Sequence, residues 1–170
     1  MAGQDGKEIA QEVRAKMVEF KKSCEVLDED NSSRPPEGRW SPKQIISHLC
    51  GPEGIGLFPT LKAFLEQDTP EIAIKAEDPY WSGKRSKMSL AELLAEFDRE
   101  YSRMAALVEG LSEEQLSRRA HIPMLKDSPL GEYPTLAQWV VGLSNYHIGF
   151  HNDHMREILQ ALGLPGKKTG

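Results

Sequence analysis

The chain has 170 residues, of which 39% are hydrophobic and 28% charged, and a net charge of −5. This composition excludes wholesale disorder, and the absence of a basic face or Lys/Arg run argues against a nucleic-acid partner. No apolar run reaches the roughly 20 residues of a membrane span, and Met1-Ala2-Gly3-Gln4-Asp5-Gly6-Lys7-Glu8 lacks a signal peptide's apolar core. The expected protein is therefore a cytoplasmic single domain over residues 1–170 with its core from about 7 to 163. Its two isolated cysteines, Cys24 and Cys50, are expected to be buried thiols.

Residues 7–28 place Ile9, Val13, Met17, Phe20, Cys24 and Leu27 at spacings of three and four, which predicts a helix with one buried face. Residues 28–39 read as a loop. Ser41, Pro42 and Gln44 then form a capping box with proline at the first helical position. Trp40 stands where an apolar residue staples onto the first turn, and His48 shares the inward side with Ile45 and Leu49. Pro52 must stop or kink that helix, because it cannot donate to the carbonyl of His48. The glycines at 51, 54 and 56 either end the helix or admit a close backbone approach.

Thr60 to Gln67 is helical again. Residues 68–87 form a polar excursion in which Tyr80 and Trp81 either cover a site or pin the loop to the core. Ser89 and Glu92 cap the next long helix, whose apolar positions Leu90, Leu94, Phe97, Tyr101, Met104, Val108 and Leu111 follow a seven-residue pattern. Gly110 ends it, and Ser112 to Gln115 starts a short helix. Residues 118–134 hold three prolines and no helical period, with His121 alone among them as an exposed or structural residue. Thr135 and Gln138 cap a last helix that runs to about Leu162 and is closed by Gly163, Pro165 and Gly166 before a Lys-rich tail. The predicted fold class is all-α, an up-down-type four-helix bundle with a metal site in its core.

The metal expectation comes from the last helix. Three of the five histidines, His147, His151 and His154, lie within eight residues. At about 100° per residue they fall within roughly 60° of one another. They continue a row of Leu136, Val140, Leu143 and Ile158 that reads as the buried stripe. Unpaired buried polar groups cost about 1–3 kcal/mol each, and a divalent metal bound by neutral imidazole removes that cost. His147 and His151, at i and i+4, suit adjacent ligand positions, and His48 supplies a third from the second helix. His154 is a fourth ligand, a residue that orients a ligand, or an acid/base group. Asp153 points away from the stripe, Glu157 has no assignable role, and Cys50 falls on a different side from His48.

The Trp40-Ser41-Pro42-Lys43-Gln44-Ile45-Ile46-Ser47-His48-Leu49 stretch and the run His147-Ile148-Gly149-Phe150-His151 resemble the DinB-like family. These are bacterial damage-inducible four-helix bundle proteins related to thiol-dependent S-transferases and to proteins described as metal-dependent hydrolases. The resemblance implies His48, His147 and His151 as ligands of zinc or nickel, with water completing the shell, and a homodimer as in many members. Two departures are visible: Phe150 replaces the middle histidine of the family's His-x-x-His-His run, and His154 stands where the family often has glutamine. A shifted register with His151 and His154 as the pair fits the downstream residues almost as well.

Three readings follow. The first is an enzyme, a metal-dependent hydrolase or a thiol S-transferase, for whose charged cofactor Lys43, Lys62, Lys84 and Arg85 are the candidate basic residues. The second is a non-catalytic metal-binding or stress-response bundle. The third is an interaction module whose histidines belong to the core.

Overall fold

The computed structural model describes residues 5–75 and 77–164. Helix α1 (Gly6–Ser23) starts on Asp5, whose side chain accepts from the Glu8 N–H, and buries Ile9, Val13, Met17 and Phe20. It stops short of the expected residue 28. Asp28 and Asn31 exchange side-chain and backbone hydrogen bonds as a capping box, nucleating a separate turn, α2 (Glu29–Ser32), so the chain must leave α1 first.

Helix α3 (Pro42–Cys50) begins on the expected Ser41–Gln44 box and ends at Gly51. Both uses anticipated for the glycines occur. Gly51, Gly54 and Gly56 all adopt left-handed backbone (φ 76°, 73° and 69°), ending the helix, and a Cβ on Gly56 would lie 2.4 Å from Glu100 Oε2. Helix α4 (Phe58–Glu66) follows; Arg118 donates to the Phe64 and Gln67 carbonyls at 2.6 and 2.7 Å, closing its C-terminal end.

Helix α5 (Leu90–Glu109) starts on the expected Ser89–Glu92 box and buries Phe97, Tyr101, Met104 and Val108. At its start Leu93 is buried, whereas Leu90 and Leu94 lie at the margin. A straight helix drifts against a strict seven-residue pattern by about 20° per heptad, which rotates Leu93 inward. Beyond α6 (Glu113–Leu116), two isolated bridges, Glu71 to His121 and Arg119 to Thr135, tie the irregular segments together. The last helix comprises α7 (Leu136–Val141), a π-helical stretch (Gly142–Ile148) and α8 (Gly149–Ala161). The expected Pro165 and Gly166 stop and the Lys-rich tail lie outside the described residues.

The fold is an all-helical four-helix bundle, with no strand among the described residues. Helices α1 and α3 each pack against α5 and against the last helix, so these two chain-consecutive long elements take opposite corners. Ile45, Ile46, Leu49, Phe97, Tyr101, Met155 and Ile158 fill the core. No described helix is long and apolar enough to cross a membrane. Both cysteines are free and buried, as expected.

Candidate metal centre

The last helix does not carry the stripe that uniform helical spacing predicts. Leu136, Val140, Ser144, Ile148, His151, Met155 and Ile158 are buried, while Leu143, His147 and His154 are only partly so. The cause is the π stretch, in which hydrogen bonds span five residues and the side-chain rows shift. Ser144 turns inward, its hydroxyl donating to the Val140 carbonyl at 3.0 Å. His147 and His154 are thereby moved from the middle of the buried face to its edge, while His151 stays buried, and the histidine row faces α3.

There they meet His48. One ligand atom from each of His48, His147 and His151 lies within 4.8 Å of the others. The ring centroids are 4.8 Å apart for His48 and His147, 4.5 Å for His48 and His151, and 4.7 Å for His147 and His151. His48 Nδ1 sits 2.6 Å from the Asp78 carbonyl oxygen. A carbonyl only accepts, so Nδ1 carries the hydrogen and, in the neutral ring, Nε2 presents its lone pair. That lone pair faces His147 Nε2 at 2.8 Å. His147 Nδ1 is buried with no hydrogen-bond partner among the described residues.

The donor set fits a divalent ion. Three imidazoles converge, one already in the tautomer that leaves Nε2 free, its other nitrogen held by a backbone carbonyl as in metal–histidine pairs generally. The cysteines do not compete: burial pushes the thiols of Cys24 and Cys50 up to about 12, which disfavours the thiolate a metal needs. His154 lies outside the trio but touches it, its Nδ1 3.3 Å from His151 Nδ1.

Aromatic rings flank the trio. Trp40, expected only as a staple, stacks on His151 (centroids 6.2 Å, interplanar angle 8°) and tilts against His48 and His154. Tyr80 lies parallel to His48 at 6.0 Å and so covers the site, whereas Trp81 packs on the core. Both anticipated roles are therefore present, on adjacent residues. Tyr146 and Phe150 are each 67% exposed, and Phe150 meets His151 edge-on.

The remaining expected residues are placed apart from the trio. His121 lies between Glu71 and Glu132 and stacks on Tyr133, a structural position. Asp153 is exposed, and Glu157 accepts from Arg39 at 3.0 Å. The four candidate basic residues are each paired with a carboxylate: Lys43 with Glu29, Lys62 with Glu66, Lys84 with Glu53 and Arg85 with Glu96.

Burial lowers the pKa of all four site histidines. It depresses His48, and His147 falls to about 4 with a further contribution from His48. His151 falls to about 2 through burial and then through His147, His48 and His154, and burial followed by Arg39 lowers His154. Each ring is thus neutral in the folded chain at pH values where the unfolded chain takes up a proton. Stability of chelator-stripped protein should accordingly be full above about pH 6.5 and fall as pH drops from there towards about 4, the value of His147, by up to about 1.4 kcal/mol per pH unit for each proton. Thermal melts across that window should show a slope that flattens in His147→Leu; equal slopes in the two proteins would refute the neutral-trio description.

Comparison with known proteins agrees with this architecture. YfiT from Bacillus subtilis, described as "a probable metal-dependent hydrolase with an unusual four-helix bundle topology", is similar at a TM-score of 0.72 and 24% identity, over 94% of this chain and 88% of that one. A Streptococcus pneumoniae protein is similar at a TM-score of 0.65 and 13% identity, over 95% and 94%. No curated protein matches. Both likenesses are of fold; family membership comes from the sequence itself, because residues 11–155 match the DinB superfamily. The chain belongs to the DinB superfamily.

Proposed function

We propose that this chain is a metal-dependent hydrolase in which His48, His147 and His151 hold a divalent ion, zinc or nickel. The observation that carries this reading is the convergence of three imidazoles within 4.8 Å beside the fixed tautomer of His48. A three-histidine donor set is typical of catalytic zinc sites, whereas structural sites close with four ligands, usually cysteines among them. When bound, such an ion supplies Lewis-acid polarisation and an acidified water.

The chain's own residues divide the remaining work. Asp78, through its carbonyl, holds His48 in the ligating tautomer. With His151 bound to the ion through Nε2, its Nδ1 carries the hydrogen and His154 Nδ1, 3.3 Å away, is placed to accept it; the partly exposed His154 ring serves as the acid/base group. Trp40 and Tyr80 shield the trio from bulk water. The similarity to YfiT, described as a probable metal-dependent hydrolase, supports the same reading.

A thiol S-transferase is the second reading; Lys43 and Arg85 are buried in ion pairs with Glu29 and Glu96 and so are engaged within the fold, which leaves the exposed Lys62 and Lys84 as the cations open to a charged thiol cofactor. The test is a panel of esters and amides, and of electrophiles with thiol acceptors, offered to reconstituted and to chelator-stripped protein. We expect metal-dependent ester or amide cleavage that falls by about 10²–10⁴-fold in His154→Ala. Thiol-dependent consumption of an electrophile instead would identify the transferase. Stoichiometric metal with no turnover on either set would identify a non-catalytic metal-binding bundle.

A further inference from the structure

Arg85 is fully buried, although its guanidinium is always charged. Burying such a group is unfavourable unless it is paired and hydrogen-bonded, so its contacts point to a purpose. Nη2 donates to Glu96 on α5 at 3.1 Å, and Nη1 donates to both the carbonyl and the hydroxyl oxygen of Ser47 at 2.9 Å. The Ser47 carbonyl belongs to the last turn of α3, whose C=O groups have no partner within the helix. Nε has no partner among the described residues.

Ser47 immediately precedes His48, and the same loop that carries Arg85 returns over both. With its lone pair occupied by Arg85, the Ser47 hydroxyl directs its hydrogen at the Pro79 carbonyl, 2.7 Å away. The neighbouring Asp78 carbonyl takes the His48 Nδ1 hydrogen. Tyr80 holds a left-handed backbone (φ 50°), its N–H donating to Asp78 Oδ1 at 2.8 Å. That conformation is unfavourable for a non-glycine residue and persists only where its surroundings enforce it.

We propose that Arg85 is a positioning residue for the metal centre, clamping loop 78–80 onto α3 through Ser47 so that the Asp78 carbonyl fixes His48 with Nε2 unprotonated. The proposal rests on the assignment of His48 as a ligand. Without Arg85 the Ser47 hydroxyl can turn back to a carbonyl of its own helix, and the Pro79 carbonyl loses its donor. The loop then loosens, and His48 populates the Nε2–H tautomer, which offers the trio no lone pair.

The experiment compares parent, Arg85→Met, Arg85→Lys and Ser47→Ala. The His48 tautomer is read in metal-free protein by proton–nitrogen NMR, assigned by its loss in His48→Gln, and zinc affinity is read by chelator competition. Parent protein should show Nδ1–H. Arg85→Met and Ser47→Ala should gain Nε2–H signal and bind zinc about 10–100-fold more weakly, with partial recovery in Arg85→Lys. Folded Arg85→Met and Ser47→Ala with parental tautomer and affinity would overturn the proposal; should Arg85→Met not fold, Ser47→Ala decides. A parent that binds no zinc would remove the ligand assignment, while the tautomer comparison would still decide the positioning role.

Discussion

His48→Ala, His147→Ala and His151→Ala should each lose most of the bound metal, whereas His154→Ala should keep it near the parental level. A structural zinc site closed by four protein ligands contributes about 10–16 kcal/mol, so a single ligand is worth roughly 3–4 kcal/mol, or about 10²–10³-fold in affinity, and the same scale applies to each imidazole of the trio. The hydrogen-bond contact of His154 with the trio is with His151 Nδ1, at 3.3 Å. Losing such an outer partner costs about 10–100-fold, which excess metal can overcome. Elemental analysis by mass spectrometry on tag-free protein, after dialysis against zinc and then buffer, separates the cases. Loss in His154→Ala matching that in His151→Ala, with His147→Ala unaffected, would make His151 and His154 the ligand pair and return His147 to the core.

The helix caps made the fold legible. Ser41–Gln44, Ser89–Glu92, Ser112–Gln115 and Thr135–Gln138 each start a helix where side-chain chemistry alone places one. Such signals are local, and a capping box needs only four residues to act. What could not be read is non-local. The π stretch after Val141 has no composition of its own, yet it moves His147 and His154 to the margin of the buried face. The Asp78 carbonyl that fixes His48 is backbone, thirty residues away, and any residue at 78 would supply one. Arg85 was visible as a cation and not as a clamp, because its partners Ser47 and Glu96 meet only once the loop has folded back. That His48, His147 and His151 come together was legible for the opposite reason: histidines recurring where a helical row calls for apolar side chains mark themselves, even though the π stretch then carries His147 to the margin.

The glycines after α3 give the second large effect: Gly56→Ala should destabilise the protein by about 3–4 kcal/mol, while Gly54→Ala, three positions after Gly51, should cost only about 1–2 kcal/mol. Both residues have left-handed backbone, φ 73° at Gly54 and 69° at Gly56, so a side chain is unfavourable at each. The difference lies in what the new methyl meets. At Gly54 nothing lies within 4 Å, but at Gly56 the Glu100 carboxyl atoms would be 2.4–2.6 Å away. Glu100 is buried on α5 and its Oε2 accepts from the Leu57 N–H at 3.0 Å, so moving aside breaks a charge-assisted hydrogen bond. Thermal melts should therefore place Gly56→Ala about 6–16 °C below the parent and Gly54→Ala only a few degrees below. Adding Glu100→Ala to Gly56→Ala removes the clash but not the backbone cost, so the double variant should be less destabilised than the sum of its parts by about 1–2 kcal/mol. Strict additivity would mean that the carboxylate yields freely and that Gly56 is required for its φ alone. Zinc affinity at room temperature should stay parental in folded Gly56→Ala, because His48 is held by residues 78–80 rather than by the glycine segment; this separates the stability of the bundle from the geometry of its site.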